Sequence, residues 1–257
     1  MTRTIDLNAD LGELPGERGR ASDRAILAEV SSCAIACGGH AGDEETMAAT
    51  LQAAREHGVS AGAHPSYPDP QNFGRQTMSL SSSALHETLC AQMASLQDIA
   101  ARHGISLAHV KPHGALYNDA AKSASIAKAV ASAVKACFGV RLALIGPPRS
   151  ETEKSASQAG LPFHAEGFID RTYMPDGSLM PRSEPGAVLH DNDERVEQAL
   201  QIARDGCVTD CRNGKVILPA KTLCLHGDSP GAAETARHVR KALEAQGIAI
   251  QPVSRTP

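Results

Sequence analysis

Leu107-Ala108-His109-Val110-Lys111-Pro112-His113-Gly114 sets a short apolar run directly against charged and ring-bearing residues. Leu107 to Lys111 has the length of a buried strand, and Pro112 stiffens its exit. The same construction recurs along the chain. Ile5 to Ala9, carrying Asn8, leads to Asp10-Leu11-Gly12-Glu13. Cys33 to Cys37 leads to Gly38-Gly39-His40. Val59 to Ala63 leads to His64-Pro65. Phe163 to Phe168 leads to Asp170-Arg171, and Thr222 to Leu225 leads to His226-Gly227-Asp228. Arg141 to Ile145 reads as one more strand, and Ile248 to Ile250 as an eighth.

Helical patterns lie between these runs. Asp43 caps a predicted helix that ends near His57, with Met47, Leu51 and Ala54 on one face. Ser83 to His103 carries Leu85, Leu89, Met93 and Leu96 at helical spacing. Ile126, Val130 and Val134 mark another helix, and Asp193–Arg204 and Gly231–Gln246 two more. Repeated βα units imply a parallel sheet. Seven or eight of them fit one closed barrel, so the expected class is α/β, a single domain over residues 1–257. Two segments break the rhythm. Asn213-Gly214 predicts a tight hairpin inside a small arm near residues 207–218. Pro65 to Met78 is a long loop of the kind that serves as a lid or binding loop.

Composition excludes several classes. The chain has 257 residues, 42% hydrophobic and 21% charged, with 3% aromatic and no Trp. Aliphatic residues must build the core. The net charge of −4 and the lack of a long basic run argue against nucleic acid. No apolar run approaches the ~20 residues of a membrane span. The first residues lack the apolar core of a signal peptide, so the expected location is cytoplasmic. Seven scattered cysteines read as reduced thiols. Walker A, nucleophile-elbow and H-E-x-x-H motifs are absent.

Functional side chains of a parallel barrel gather where the strands end. Asn8 and Asp10 share one side of their strand. Asp10 reads as a base, a metal ligand or a loop cap, while Asp6 lies deeper and reads as structural. His64 and His113 read as functional histidines, with His40 and His226 as further candidates. Lys111 needs an anion, either a substrate group or a structural carboxylate. Arg75, in the long loop, reads as an anion clamp or a solvated side chain. Gly38 to Gly42 precedes a helix start and offers backbone N–H groups, a weak signal alone.

These segments resemble the LamB/YcsF family. The resemblance runs through Asp6 to Glu13, Ile35 to Gly38, His40 to Asp43, Gly62 to Pro65 and Phe73-Gly74-Arg75. It continues through His109 to Asn118, Asp170 to Tyr173, Asp176-Gly177, Arg182-Ser183 and His226 to Gly231. Gly39 and Glu44 depart from the family's usual aromatic and Pro. The resemblance implies a distorted seven-stranded β/α barrel akin to deacetylase and glycoside-hydrolase barrels. It implies the A component of a bacterial 5-oxoprolinase, working with subunits B and C. The implied reaction takes 5-oxo-L-proline, ATP and water to L-glutamate, ADP and phosphate, with Mg2+ accompanying the ATP.

On that reading Lys111 stabilises developing anionic charge. Asp10 activates water or an imidate proton, and His113 shuttles protons. His64 orients the substrate, and Arg75 or Arg171 grips its carboxylate. Asn8, Glu13, His40, Asp170, His226 and Asp228 complete the expected substrate contacts. Two rivals remain. One is a metal-dependent amide hydrolase using Asp10, His64 and His113. The other is a polypeptide that binds 5-oxoproline for its partners without catalysing its opening.

Overall fold

A computed structural model describes residues 3–229 and 231–253. Met1 and Thr2, read above for a signal peptide, and Pro230, in the last matched segment, lie outside them.

The strands are β1 Arg3–Leu11, β2 Ser32–Ala36, β3 Ser60–His64, β4 His109–Val110, β5 Ala143–Gly146 and β6 Phe163–Phe168. They continue with β7 Cys207–Thr209, β8 Lys215–Ile217, β9 Thr222–His226 and β10 Ile248–Ile250. Strands β1 to β6 pair in sequence order, β6 pairs β9, and β9 pairs β1. The result is the expected closed barrel of seven parallel strands. It is distorted: β4 has two residues and meets β3 at one register pair, Ala63 with Val110.

The expected eighth strand exists but stays outside the ring. β10 pairs with Arg3 to Ile5, while Asn8 to Leu11 pair with β2. The nine residues of β1 are long enough to serve the barrel at one end and β10 at the other. The expected arm is present too: β7 and β8 are antiparallel, with Asn213 in the left-handed region at φ 62°.

Among the described residues, eight helices surround the barrel: α1 Gly16–Leu27, α2 Glu44–Glu56, α3 Ser82–Arg102, α4 Gly114–Lys122, α5 Ala124–Phe138, α6 Glu151–Ala159, α7 Asn192–Leu200 and α8 Ala232–Ala245. Asp43 caps α2 as expected, accepting from the Thr46 N–H at 2.8 Å. In α3, Leu85, Leu89, Met93 and Leu96 are all buried. The sequence pattern missed α1, α4 and α6. The buried faces of α1 and α6 hold few apolar residues: Gly19, Asp23, Ile26 and Leu27 in α1, and Thr152, Ser155 and Ala156 in α6. Among the described residues no helix is long and apolar enough to cross a membrane.

The core is divided by polarity. Leu7, Ala9 and Leu11 of β1 are buried in the aliphatic core, while Asp6, Asn8 and Asp10 alternate with them. The polar residues meet Ser32, Lys111, Glu166 and Thr222 from other strands. Asp6 accepts from the Ser31, Ser32 and Thr222 hydroxyls, which supports the structural reading of that residue. Gly62 makes room for this interior, since a Cβ there would meet the His109 ring at 2.3 Å.

Burial pushes the Asp6 carboxyl up to about 6, although three hydroxyls oppose the shift. A raised carboxyl holds a native-state proton that the unfolded chain has released above the ordinary value of 3.8. Stability from this group is therefore full below that value and is lost as pH rises through about 6. Asp6→Asn should gain stability relative to wild type as pH rises from about 4 to 7, by on the order of 3 kcal/mol. Urea unfolding of both proteins at each pH checks this; a difference flat with pH contradicts it.

Candidate active site

The ends of β1, β3, β4 and β9 bring Asp10, His64, Lys111, His113 and His226 around one cavity of about 430 Å3. Arg75, Lys122, Arg171 and Arg182 also line it, giving it four cations besides Lys111. Asp10 lies at its floor, joined to the Lys111 ammonium by an ion pair. The same Lys111 Nζ donates to Asn8 Oδ1 at 2.8 Å and to Glu166 Oε1 at 3.0 Å, with Cys224 Sγ at 3.1 Å. Burial alone would lower the Lys111 pKa. Asp10, Cys224 and Glu166 outweigh it and hold it well above 10.5. Burial likewise pushes Asp10 up, but His64 and Lys111 hold it well below the usual carboxylate range.

Above this floor sits a knot of imidazoles. His64 Nδ1 donates to the Lys111 carbonyl at 2.7 Å. His113 Nε2 donates to the Phe73 carbonyl at 2.9 Å. Carbonyls only accept, so both outward nitrogens carry hydrogen. The inward nitrogens, His64 Nε2 and His113 Nδ1, then face each other 3.0 Å apart. If both rings are neutral, two lone pairs point at one spot, which calls for a shared proton or a cation. Glu13 Oε1 stands 3.3 Å from His113 Nδ1 and 3.9 Å from His64 Nε2. His40 Nε2 is 3.1 Å from that same oxygen. Burial first, then Asp10 and Asp228, push Glu13 well above 4.5. Burial and His64 lower His40 to about 2, and burial with His64 and His40 holds His113 well below 6.5.

Glu13, His40, His64 and His113 place four ligand atoms within 4.8 Å of one another. Imidazole and carboxylate donors suit zinc and related transition metals. Carbonyl acceptors on the distal nitrogens are the usual support for such ligands. His40 stacks on His113 with centroids 3.7 Å apart and planes 5° from parallel. In-plane lone pairs of stacked rings do not converge, so the set that fits one ion is Glu13, His64 and His113. Asp10 Oδ2 is 3.3 Å from His64 Nε2, but its other oxygen is held by Lys111.

The loop from Pro65 to Met78 is a built part of the site. Tyr67 anchors it, 1% exposed, through its hydroxyl to Asp119 at 3.0 Å. It delivers the Phe73 carbonyl to His113 and carries Arg75 to the rim, where Arg75 pairs with Asp228 from beyond β9. Of the other residues read from the sequence, Asn8 lies beneath Lys111 and donates to Glu166 and Thr222. Arg171 is buried and donates to the Ala187 and Met180 carbonyls, which leaves Arg75 the freer of the two guanidiniums. Asp170 holds His226 Nδ1 at 2.8 Å and does not line the cavity. Glu166 was missed. Its signal was a lone carboxylate inside the apolar run Phe163 to Phe168.

The seven-stranded parallel barrel is a fold that deacetylase structures share. A T48 deacetylase shares this fold at 13% identity, with a TM-score of 0.51 over 97% of this chain and 87% of that one. The particular kinship is far closer: residues 5–257 match the LamB/YcsF family, and the chain belongs to it. It is similar to the 5-oxoprolinase A component of Methylococcus capsulatus, 48% identical over 97% of this chain and 96% of that protein. The same-named protein of Paracidovorax citrulli is 45% identical over 96% and 98%. The crystal structure of a lactam utilization protein from Thermus thermophilus superposes with a TM-score of 0.89 at 39% identity, covering 97% of this chain and all of that one.

Gly114 ties the loop to the site. It sits at φ +58°, and a Cβ there would meet the Gly74 carbonyl oxygen at 2.5 Å. Gly114→Ala should push Gly74 away and loosen the Phe73 carbonyl from His113, at a cost of about 1–3 kcal/mol. Ring 15N shifts of His113 should move in this variant; unchanged shifts contradict the pinning.

Proposed function

We propose that this chain acts as the A component of an ATP-dependent 5-oxoprolinase, opening 5-oxo-L-proline to L-glutamate with release of ADP and phosphate. The observation that carries the reading is the buried Lys111 ammonium between Asp10 and Glu166, at the floor of a cation-rimmed cavity. The names of the family relatives support the substrate. A five-membered lactam is an unreactive amide with a poor leaving group. Phosphorylating its oxygen makes the ring carbon electrophilic and couples opening to ATP.

In this proposal Arg75 takes the substrate carboxylate, displacing Asp228, and Lys111 offsets negative charge developing over the cavity floor. Asp10 takes a proton from water as it attacks. His113 and His64, linked at 3.0 Å, carry a proton to the departing ring nitrogen, which leaves a glutamyl phosphate that a second water cleaves to glutamate and phosphate. Partner subunits, B and C by this reading, share the ATP chemistry, with Mg2+ on the nucleotide.

Glutamate and ADP release should be assayed with this chain alone, then with each partner added. In the active mixture, Lys111→Met and Asp10→Asn should each lower kcat by about 100-fold or more, as loss of an electrostatic or proton-transfer group does. Near wild-type turnover by either variant contradicts the assigned roles.

The facing lone pairs of His64 and His113 favour a second reading, a metal-assisted amide hydrolase held by Glu13, His64 and His113. A bound metal would polarise the amide carbonyl without ATP. On this reading, protein purified without added metal contains one transition metal per chain, and chelation shifts the ring 15N signals of His64 and His113. Metal-free protein with unchanged signals favours the shared proton.

A further inference from the structure

Four side chains surround the Lys111 ammonium, three as hydrogen-bond acceptors and Asp10 as an ion pair, and they are not equivalent. Of Asp10, Glu166, Asn8 and Cys224, Asp10 lines the catalytic cavity and the other three do not. Glu166 lies behind the ammonium, 1% exposed, and borders a separate side cavity of about 190 Å3 instead. Its Oε1 takes two hydrogen bonds, from Lys111 Nζ and from Asn8 Nδ2, each at 3.0 Å. Asn8 is itself fixed, because Nδ2 also donates to Thr222 Oγ1 at 2.6 Å while Oδ1 accepts from Lys111. A substrate or water that engages Asp10 therefore draws away one of the two carboxylates on a fully buried ammonium. A buried charge left without its counter-charge is strongly disfavoured, and the side chain would move or follow Asp10.

We infer that Glu166 is a positioning residue: it supplies the fixed counter-charge that holds the Lys111 ammonium at the cavity floor while Asp10 engages the reacting groups. The inference rests on the lactam-opening reading for its kinetic test, but not for its structural one.

The test moves the carboxylate to Asn8, which already touches Lys111. Glu166→Gln keeps the shape of the residue and removes the charge. Asn8→Asp in the Glu166→Gln background returns a carboxylate to the ammonium from β1, with the new amide free to donate to it. In the complex with its partners, Glu166→Gln should lower kcat by about 100-fold, with KM for 5-oxoproline within about threefold. The double variant should recover about tenfold or more of that loss. A residue that only fills space would not be rescued by relocating charge. Wild-type kcat in Glu166→Gln, or a folded double variant with no recovery, overturns the inference.

If wild-type complex opens no lactam, the substrate reading fails by itself, and the melting temperatures of the isolated chains still decide. A fall in Glu166→Gln that the double variant recovers supports the fixed counter-charge. Glu166→Gln as stable as wild type overturns it.

Discussion

One buried ammonium organises this barrel. Lys111 is 1% exposed and is met by two carboxylates, an amide oxygen and a thiol. A lone charge at that depth is untenable, and breaking a buried pair by removing one partner costs about 3–5 kcal/mol. Strands β1, β6 and β9 must therefore each deliver a partner to the point where β4 ends. The closing contact of the barrel, β9 against β1 over Asp6 to Asp10, is where Asp10, Asn8 and Cys224 come into register. Fold and site share one electrostatic requirement.

Helices pack on the outer face of the strands through Leu, Ile, Val and Ala, while Asp6, Asn8 and Asp10 of β1, Lys111 at the end of β4 and Glu166 of β6 point inward. Such an interior holds only if its donors and acceptors are matched. Asp6 with three hydroxyls and Asn8 between Lys111, Glu166 and Thr222 show the matching. The matching is not complete: both His109 ring nitrogens within the barrel, and His40 Nδ1 and an oxygen of Asp170, find no hydrogen-bond partner among the described residues.

Much of this was legible in the sequence because strand-end position is a one-dimensional property. Short apolar runs followed by Asp, His or Lys marked the strands, and Asp10, His64, Lys111, His113 and His226 do surround one cavity. Depth was less legible. Asn8 and Glu13 follow the same rule, yet one lies under Lys111 and the other behind the histidines. Glu166 escaped because it precedes its strand's end, and its role depends on a partner 55 residues away. Helices α1 and α6 escaped because Gly, Asp, Thr and Ser fill much of their buried faces, so hydrophobic period carried little signal. Arg171 has the residue type for an anion clamp, but its donors go to carbonyls of the loop near residues 180–187, which only the fold reveals.

The proposed chemistry requires the lactam to lie over the floor that Lys111 and Asp10 form. A crystal structure of the chain with 5-oxoproline bound tests this most directly. The lactam amide is expected against Asp10 and the His64–His113 pair, with its carboxylate on Arg75 and Asp228 displaced. A ring seated instead in the side cavity beside Tyr117 and Glu166, with Arg75 still on Asp228, would contradict it.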